Sequence, residues 1–211
     1  MSTAGLVTIL FTDLVGSTAL SQEIGDHAAD DVRREHFEVL RQAVSRTGGT
    51  EVKTIGDALM VSYPAAADAV AGAVAMQQGV ARHNRRGAGP RVEMRIGISA
   101  GDATFEDGDW FGTPVVEAAR LCAAADGGQI LATEIVRILG GTRLEHPLES
   151  VPPIVAKGIT DPVTARSTSS LRSSATTSGY RRLLALPAPR PSSARSGSRP
   201  GRSTRSFHSG M

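Results

Sequence analysis

Two aspartates stand where short apolar runs break off. Asp13 closes the run Leu6-Val7-Thr8-Ile9-Leu10-Phe11-Thr12, and Asp57 follows Gly56 between two β-like segments, residues 51–55 and 58–63. Paired carboxylates of this kind are a usual way to hold Mg²⁺ or Mn²⁺ over a nucleoside triphosphate, since hard cations take oxygen ligands. Plainer duties suit the same residues: an aspartate caps the helix that follows a strand, and Gly-Asp makes a tight turn. On these two residues alone both readings stand. Lysine is the second signal. Of 23 Lys and Arg only Lys53 and Lys157 are lysine, so each marks a place where the habitual arginine was not used.

The elements that must carry these residues follow from periodicity. Residues 6–11 read as a strand buried on both faces. After Gly16 the chain turns helical. Residues 30–46 place Val32, Phe37, Leu40 and Val44 on one stripe, stopped by Gly48-Gly49. Residues 51–55 and 58–63 form a hairpin about Gly56-Asp57. Pro64 suits the first turn of an Ala-rich helix that runs to about His83. A strand over 92–99 alternates Val92, Met94, Ile96 and Ile98 inward, and 102–105 is expected to pair with it across Gly101. Residues 112–125 make a second strong helix with Val115, Ala118, Ala119 and Cys122 on one side. Short strands at 129–132 and 142–144 flank a helix at 133–139. That order is α+β, with helices on a mostly antiparallel sheet.

Composition narrows the class. The lone cysteine, Cys122, cannot make an internal disulfide, and no charged-then-apolar leader opens the chain, so a cytoplasmic protein is expected. The Ala- and Gly-rich stretch 58–81, which holds no basic residue, is broken by Pro64 and Asp68 and falls short of a membrane span. The net charge of +2 conceals a division. Residues 1–166 hold 15 basic and all 21 acidic residues, whereas 167–211 hold eight arginines, 13 serines and no acid. So few large apolar side chains cannot offset the entropy of ordering the second part. The expected organisation is a domain over 1–165 and a disordered, solvated Ser/Arg/Pro-rich tail over 166–211. Only Tyr180 and Phe207 are aromatic there, which argues against a nucleic-acid-binding tail.

Four words change the weight of the two aspartates. Phe11-Thr12-Asp13-Leu14-Val15-Gly16-Ser17-Thr18, Glu51-Val52-Lys53-Thr54-Ile55-Gly56-Asp57-Ala58-Leu59-Met60, Met94-Arg95-Ile96-Gly97-Ile98, and Asp109-Trp110-Phe111-Gly112 leading to Ala118-Ala119-Arg120-Leu121 occur in that order. Together, over about residues 5–165, they resemble the class III adenylyl/guanylyl cyclase catalytic domain. The resemblance implies a ferredoxin-like cyclase fold that works as a head-to-tail homodimer, with two Mg²⁺ or Mn²⁺ ions per site. It implies that Asp13 and Asp57 hold the metals with the Leu14 carbonyl, that Lys53 and Asp109 read the purine, and that Arg120 stabilises transition-state charge. Arg95 and Lys157 fall where the family contacts the triphosphate.

Donor and acceptor logic tests the purine pair without the family. Adenine offers an amino donor beside the N1 acceptor, and guanine offers the reverse. Asp109 accepts and Lys53 donates, which fits adenine and leaves unpaired groups against guanine. The implied reaction is conversion of ATP to 3′,5′-cyclic AMP and pyrophosphate. The rival reading is a catalytically silent cyclase-like module that binds a nucleotide or regulates a partner. Two departures feed it. The family's asparagine four residues before the arginine is here Val116, which makes no hydrogen bond, with Glu117 one step round the helix. After Lys157-Gly158-Ile159-Thr160-Asp161-Pro162-Val163 the expected apolar last strand gives way to Ala165-Arg166-Ser167-Thr168, as a shifted or truncated reading frame would produce.

Overall fold

Register decides which side chains face which way. In this computed structural model, which describes residues 2–87, 89–154 and 163–168, strand β1 (Thr3–Leu14) lies antiparallel to β4 (Met94–Glu106) from Thr3 opposite Phe105 to Leu14 opposite Met94. Both strands are rich in β-branched and aliphatic residues, and they form the spine of the sheet. On the other side of β1, β3 (Ala58–Tyr63) pairs antiparallel, with β2 (Thr50–Ile55) outside it. Beyond β4 come β6 (Ile130–Thr133), parallel to β4, then β8 (Ala165–Thr168) and the two-residue β7 (Glu149–Ser150). The sheet is therefore mostly antiparallel, as the sequence implies.

Period-2 alternation gives the sheet two unlike faces. Leu10 and Leu14 of β1, Leu59 and Val61 of β3, and Ile96 and Ile98 of β4 point to one side. There they meet α2 (Asp26–Arg46), α3 (Ala66–Arg86) and α5 (Glu134–Gly140), with α1 (Ser17–Ile24) packed beside α2. Val7, Ile9 and Phe11 of β1 and Met60 of β3 point the other way, against Ala118 and Cys122 of α4 (Thr113–Ala124). Glycine makes that second contact close. A Cβ on Gly97 would lie 2.2 Å from the Ala118 carbonyl oxygen and from the Cys122 backbone nitrogen, so α4 rests on bare β4 backbone.

Two expectations are corrected. The hairpin across Gly101 does not form, because β1 offers β4 an unbroken partner and β4 runs through Gly101 to Glu106. The turn falls at Asp107-Gly108, with φ of 51° and 83°, the double-positive pattern of a two-residue hairpin, and leads into β5 (Asp109–Phe111). Residues 142–144 are not a strand: Gly141–Arg143 form a 3-10 turn that the Leu144 N–H closes on the Gly141 carbonyl, using the donor that a ladder would need. The last strand, β8, reaches past residue 165 to Thr168. Arg166, Ser167 and Thr168 pair with Ala132, Leu131 and Ile130, and Arg166 also forms an ion pair with Glu134 of α5. A ladder of backbone bonds needs no apolar side chains, so a small polar strand serves. Lys157, and the tail beyond Thr168, lie outside the described residues. Among those described, no helix is long and apolar enough to cross a membrane.

Candidate functional site

Asp13 and Asp57 are brought to one end of the sheet. The last β1–β3 pair is Thr12 opposite Leu59, so Asp13 lies one residue beyond it and Asp57, in the β2–β3 turn, two. Gly56 makes that turn with φ 63°, a conformation in which other residues are strained. Both carboxylates act on one buried group: burial pushes the Cys122 thiol up to about 12, and the negative charges of Asp13 and Asp57 add to the effect.

Their surroundings differ. Arg95 lies opposite Asp13 in the β1–β4 register, and its Nε donates to Asp13 Oδ2 at 2.9 Å while its Nη1 donates to the Ala123 carbonyl of α4 at 2.9 Å. Asp57 has no ion pair among the described residues, and its Oδ2 is buried with no hydrogen-bond partner. Leu14 turns its side chain into the core, so only its backbone is free to act as a ligand. Two carboxylates and a carbonyl are the oxygen donors that Mg²⁺ and Mn²⁺ prefer, and an uncompensated Asp57 carboxylate suits a cation. The residues present therefore fit the metal that the sequence implies.

Lys53 reaches the α4 face through a bulge. Glu51 pairs with Val61 and turns toward α2, where Arg41 holds it with two bonds of 2.8 Å, but the register then shifts so that Lys53 lies opposite Met60. Residues opposite one another share a face, so the extra residue re-aims Lys53 to the side of Met60 and α4. There its Nζ forms an ion pair with Asp109, whose Oδ1 also accepts from the Trp110 N–H at 2.9 Å. Trp110 packs on Phe105 with ring centroids 5.0 Å apart and joins the same cluster as Val52, which fixes β5 over this face.

Arg120 stands apart. Half-buried on α4, it forms no hydrogen bond or ion pair among the described residues, so one chain does not join it to either aspartate or to the Lys53–Asp109 pair. Val116 lies one turn before it on the same helical stripe and is 46% exposed. Glu117 points to the sheet, where Ser99 Oγ donates to Oε2 at 2.7 Å and itself accepts from Thr133 Oγ1 at 3.3 Å. It cannot replace the missing asparagine on the outer stripe.

One residue of this end escaped the sequence reading. His36 of α2 is 4% exposed, and neither ring nitrogen has a hydrogen-bond partner among the described residues. Burial pulls its pKa down to about 4, and among the charges acting on the ring that of Asp57 is the strongest. The signal was present, since His36 lies on the stripe of Val32 and Leu40, four residues from each.

An α+β sheet with this order, and carboxylates, lysine and arginine on one face, defines a nucleotide-cyclase architecture. The adenylate and guanylate cyclase catalytic domain family matches residues 1–161, and the chain belongs to that family. It is 32% identical over 162 residues to an adenylate cyclase of Mycosarcoma maydis, covering 65% of this chain and 6% of that protein. It is 35% identical over 155 residues to an uncharacterised protein of Mycobacterium tuberculosis, covering 74% of this chain and 39% of that one. The chain thus spans well under half the length of these relatives. Among solved structures, an adenylate/guanylate cyclase/hydrolase from Silicibacter pomeroyi superposes with a TM-score of 0.69 at 30% identity, covering 80% of this chain and 99% of that one. The adenylyl cyclase CyaB from P. aeruginosa gives 0.68 at 27%, with 80% and 95% covered. The guanylyl cyclase Cya2 gives 0.69 at 25%, with 79% and 92% covered. Overall likeness is as high to one substrate class as to the other.

Proposed function

We propose that the domain is an adenylate cyclase of modest activity, converting ATP to 3′,5′-cyclic AMP and pyrophosphate as a head-to-tail homodimer. The observation that carries the choice of ATP is the Lys53–Asp109 pair, one donor beside one acceptor on the α4 face. Against adenine, Lys53 donates to N1 and Asp109 accepts from the N6 amino group. Against guanine both contacts become unmatched, a mismatch that a desolvated site penalises strongly.

Asp13, Asp57 and the Leu14 carbonyl would hold two divalent cations. Such cations, when bound, acidify a coordinated hydroxyl and neutralise charge on the phosphates. In the reaction the ribose O3′ bonds to the α-phosphorus, the bond to the bridging oxygen of the β-phosphate breaks, and the hydroxyl proton is lost. Arg120 offers its fork of donors to the charge that develops on the α-phosphate. Arg95, held by Asp13 here, is proposed to turn to the triphosphate, and Lys157 is proposed as a second contact there. Since Arg120 has no link to Asp13 or Asp57 in its own chain, the reading assigns the two half-sites to different protomers. The cytoplasmic setting rests only on the sequence.

The silent-module reading keeps one specific support, the exposed apolar Val116 in the place of the ribose-orienting amide. Product formation from ATP and from GTP, with Mn²⁺ and with Mg²⁺, decides between them. Cyclic AMP that vanishes in Asp57→Ala supports the enzyme, whereas no product from a folded, dimeric sample favours the silent module.

A further inference from the structure

Three buried polar atoms without partners among the described residues belong to two residues that act on each other: Nδ1 and Nε2 of His36, and Oδ2 of Asp57. Buried polar groups are nearly always hydrogen-bonded, because leaving one unpaired costs about 1–3 kcal/mol. Two such residues in electrostatic reach of each other point to a shared partner rather than to separate defects. Their placement agrees. The Arg41–Glu51 clamp fixes α2 alongside β2, and from that clamp the helix runs back toward His36 while the strand runs on to the Gly56-Asp57 turn.

The two oxygens of Asp57 face different surroundings. Oδ2 is the buried one, turned into the protein, so it requires an internal donor, and a cation approaching the sheet end meets the other oxygen. Ligating carboxylates are ordinarily held by such an outer hydrogen bond, which fixes their orientation.

We propose that His36 is the positioning residue for Asp57, its ring N–H holding the carboxylate's inner oxygen through one shared buried water, so that the outer oxygen is presented to the cation. The ring has an N–H to give in any protonation state. A water with polar partners on both sides is a common way to satisfy such groups. Phe37 and Leu40, buried beside it, keep the ring from turning to bulk solvent. The proposal rests on the reading of Asp57 as a metal ligand and assigns a role to a residue on the opposite face of the sheet from α4.

The test uses the full chain without nucleotide. Mn²⁺ binding is titrated directly by the loss of the free-ion electron paramagnetic resonance signal, and thermal unfolding is measured on the same samples. His36→Leu is expected to weaken Mn²⁺ binding about 10- to 100-fold, the usual effect of removing an outer-shell partner, in protein that still unfolds cooperatively. His36→Gln, which keeps a donor, is expected to retain most of the affinity. Affinity unchanged in His36→Leu overturns the proposal. Nitrogen-15 histidine spectra give a readout that needs no metal: a His36 ring N–H protected from exchange, and lost in Asp57→Ala, is expected. No protected N–H, or one indifferent to Asp57→Ala, overturns the pairing. Wild-type protein that shows the protected N–H but binds no Mn²⁺ sinks the metal reading and leaves the His36–Asp57 pairing intact.

Discussion

The two faces of the sheet are built on opposite plans. Under α2, α3 and α5 the sheet presents Leu10, Leu14, Leu59, Val61, Ile96 and Ile98, and the contact is a deep apolar core. Under α4 it presents a smaller apolar set, Val7, Ile9, Phe11 and Met60, beside Gly97, Ser99 and Gly101, with charged Asp13, Arg95 and Lys53 around the margin. The first face gains its stability from buried area, at roughly 25 cal/mol per Å². The second buries less, adds a close backbone approach at Gly97 and leaves its rim polar. A single sheet thus separates holding the fold from presenting chemistry, and the separation can be tested from either side.

The largest expected effect is on rate. Arg120→Ala should lower cyclisation by about 10²–10³, the typical loss of one transition-state donor, and leave the melting temperature alone because Arg120 forms no hydrogen bond or ion pair among the described residues. A melting temperature that falls with the rate would place Arg120 among the structural residues of that face.

Next is Gly97→Ala, in which the new methyl meets the backbone of α4 at 2.2 Å. Overpacking against backbone that cannot yield should cost about 3 kcal/mol in denaturant unfolding, while Gly5→Ala, with open space around it, should cost little. Equal effects at the two glycines would mean that α4 is free to lift.

Acidity probes the apolar face. His36, near 4 in the fold against 6.5 for the free side chain, binds fewer protons folded than unfolded between those values, so stability falls as pH drops through that window. By pH 5 the loss should be on the order of 2 kcal/mol, and His36→Leu should flatten it in thermal melts. Asp57 of the β2–β3 turn and His83 of α3 are the charges facing the ring, the first opposing and the second adding to the downward shift.

The smallest effect expected is a gain: Val116→Asn should raise cyclic AMP formation about tenfold, at no cost to stability, since the position is exposed. No gain would remove Val116 as the reason for low activity.

How much of this was legible in the sequence depends on how local each signal is. The strand ending at Asp13, the Gly56-Asp57 hairpin and the helix bearing Arg120 are each written in a few neighbouring residues, and each stands where periodicity and turn chemistry predict. The path of β4 was not, because Gly101 and Asp107-Gly108 both read as turns and only the length of β1 chooses between them. The bulge that re-aims Lys53 leaves no mark on composition. The strand Ala165–Thr168 was hidden because its support is a backbone ladder and the Arg166–Glu134 ion pair, and its side chains look like those of the tail that follows. His36 was overlooked for the opposite reason: it sits on the apolar stripe, and a histidine there is easily passed over as one more core position.

The close seat of α4 also determines where change is tolerated. Substitutions on the side that touches Gly97 and Gly101 unseat the helix and are removed with the misfolded chain. The outward stripe of exposed Val116 and Ala123 and half-buried Arg120 carries little of that packing. Lineages of this domain can therefore drift in turnover, or fall silent altogether, while every copy still folds.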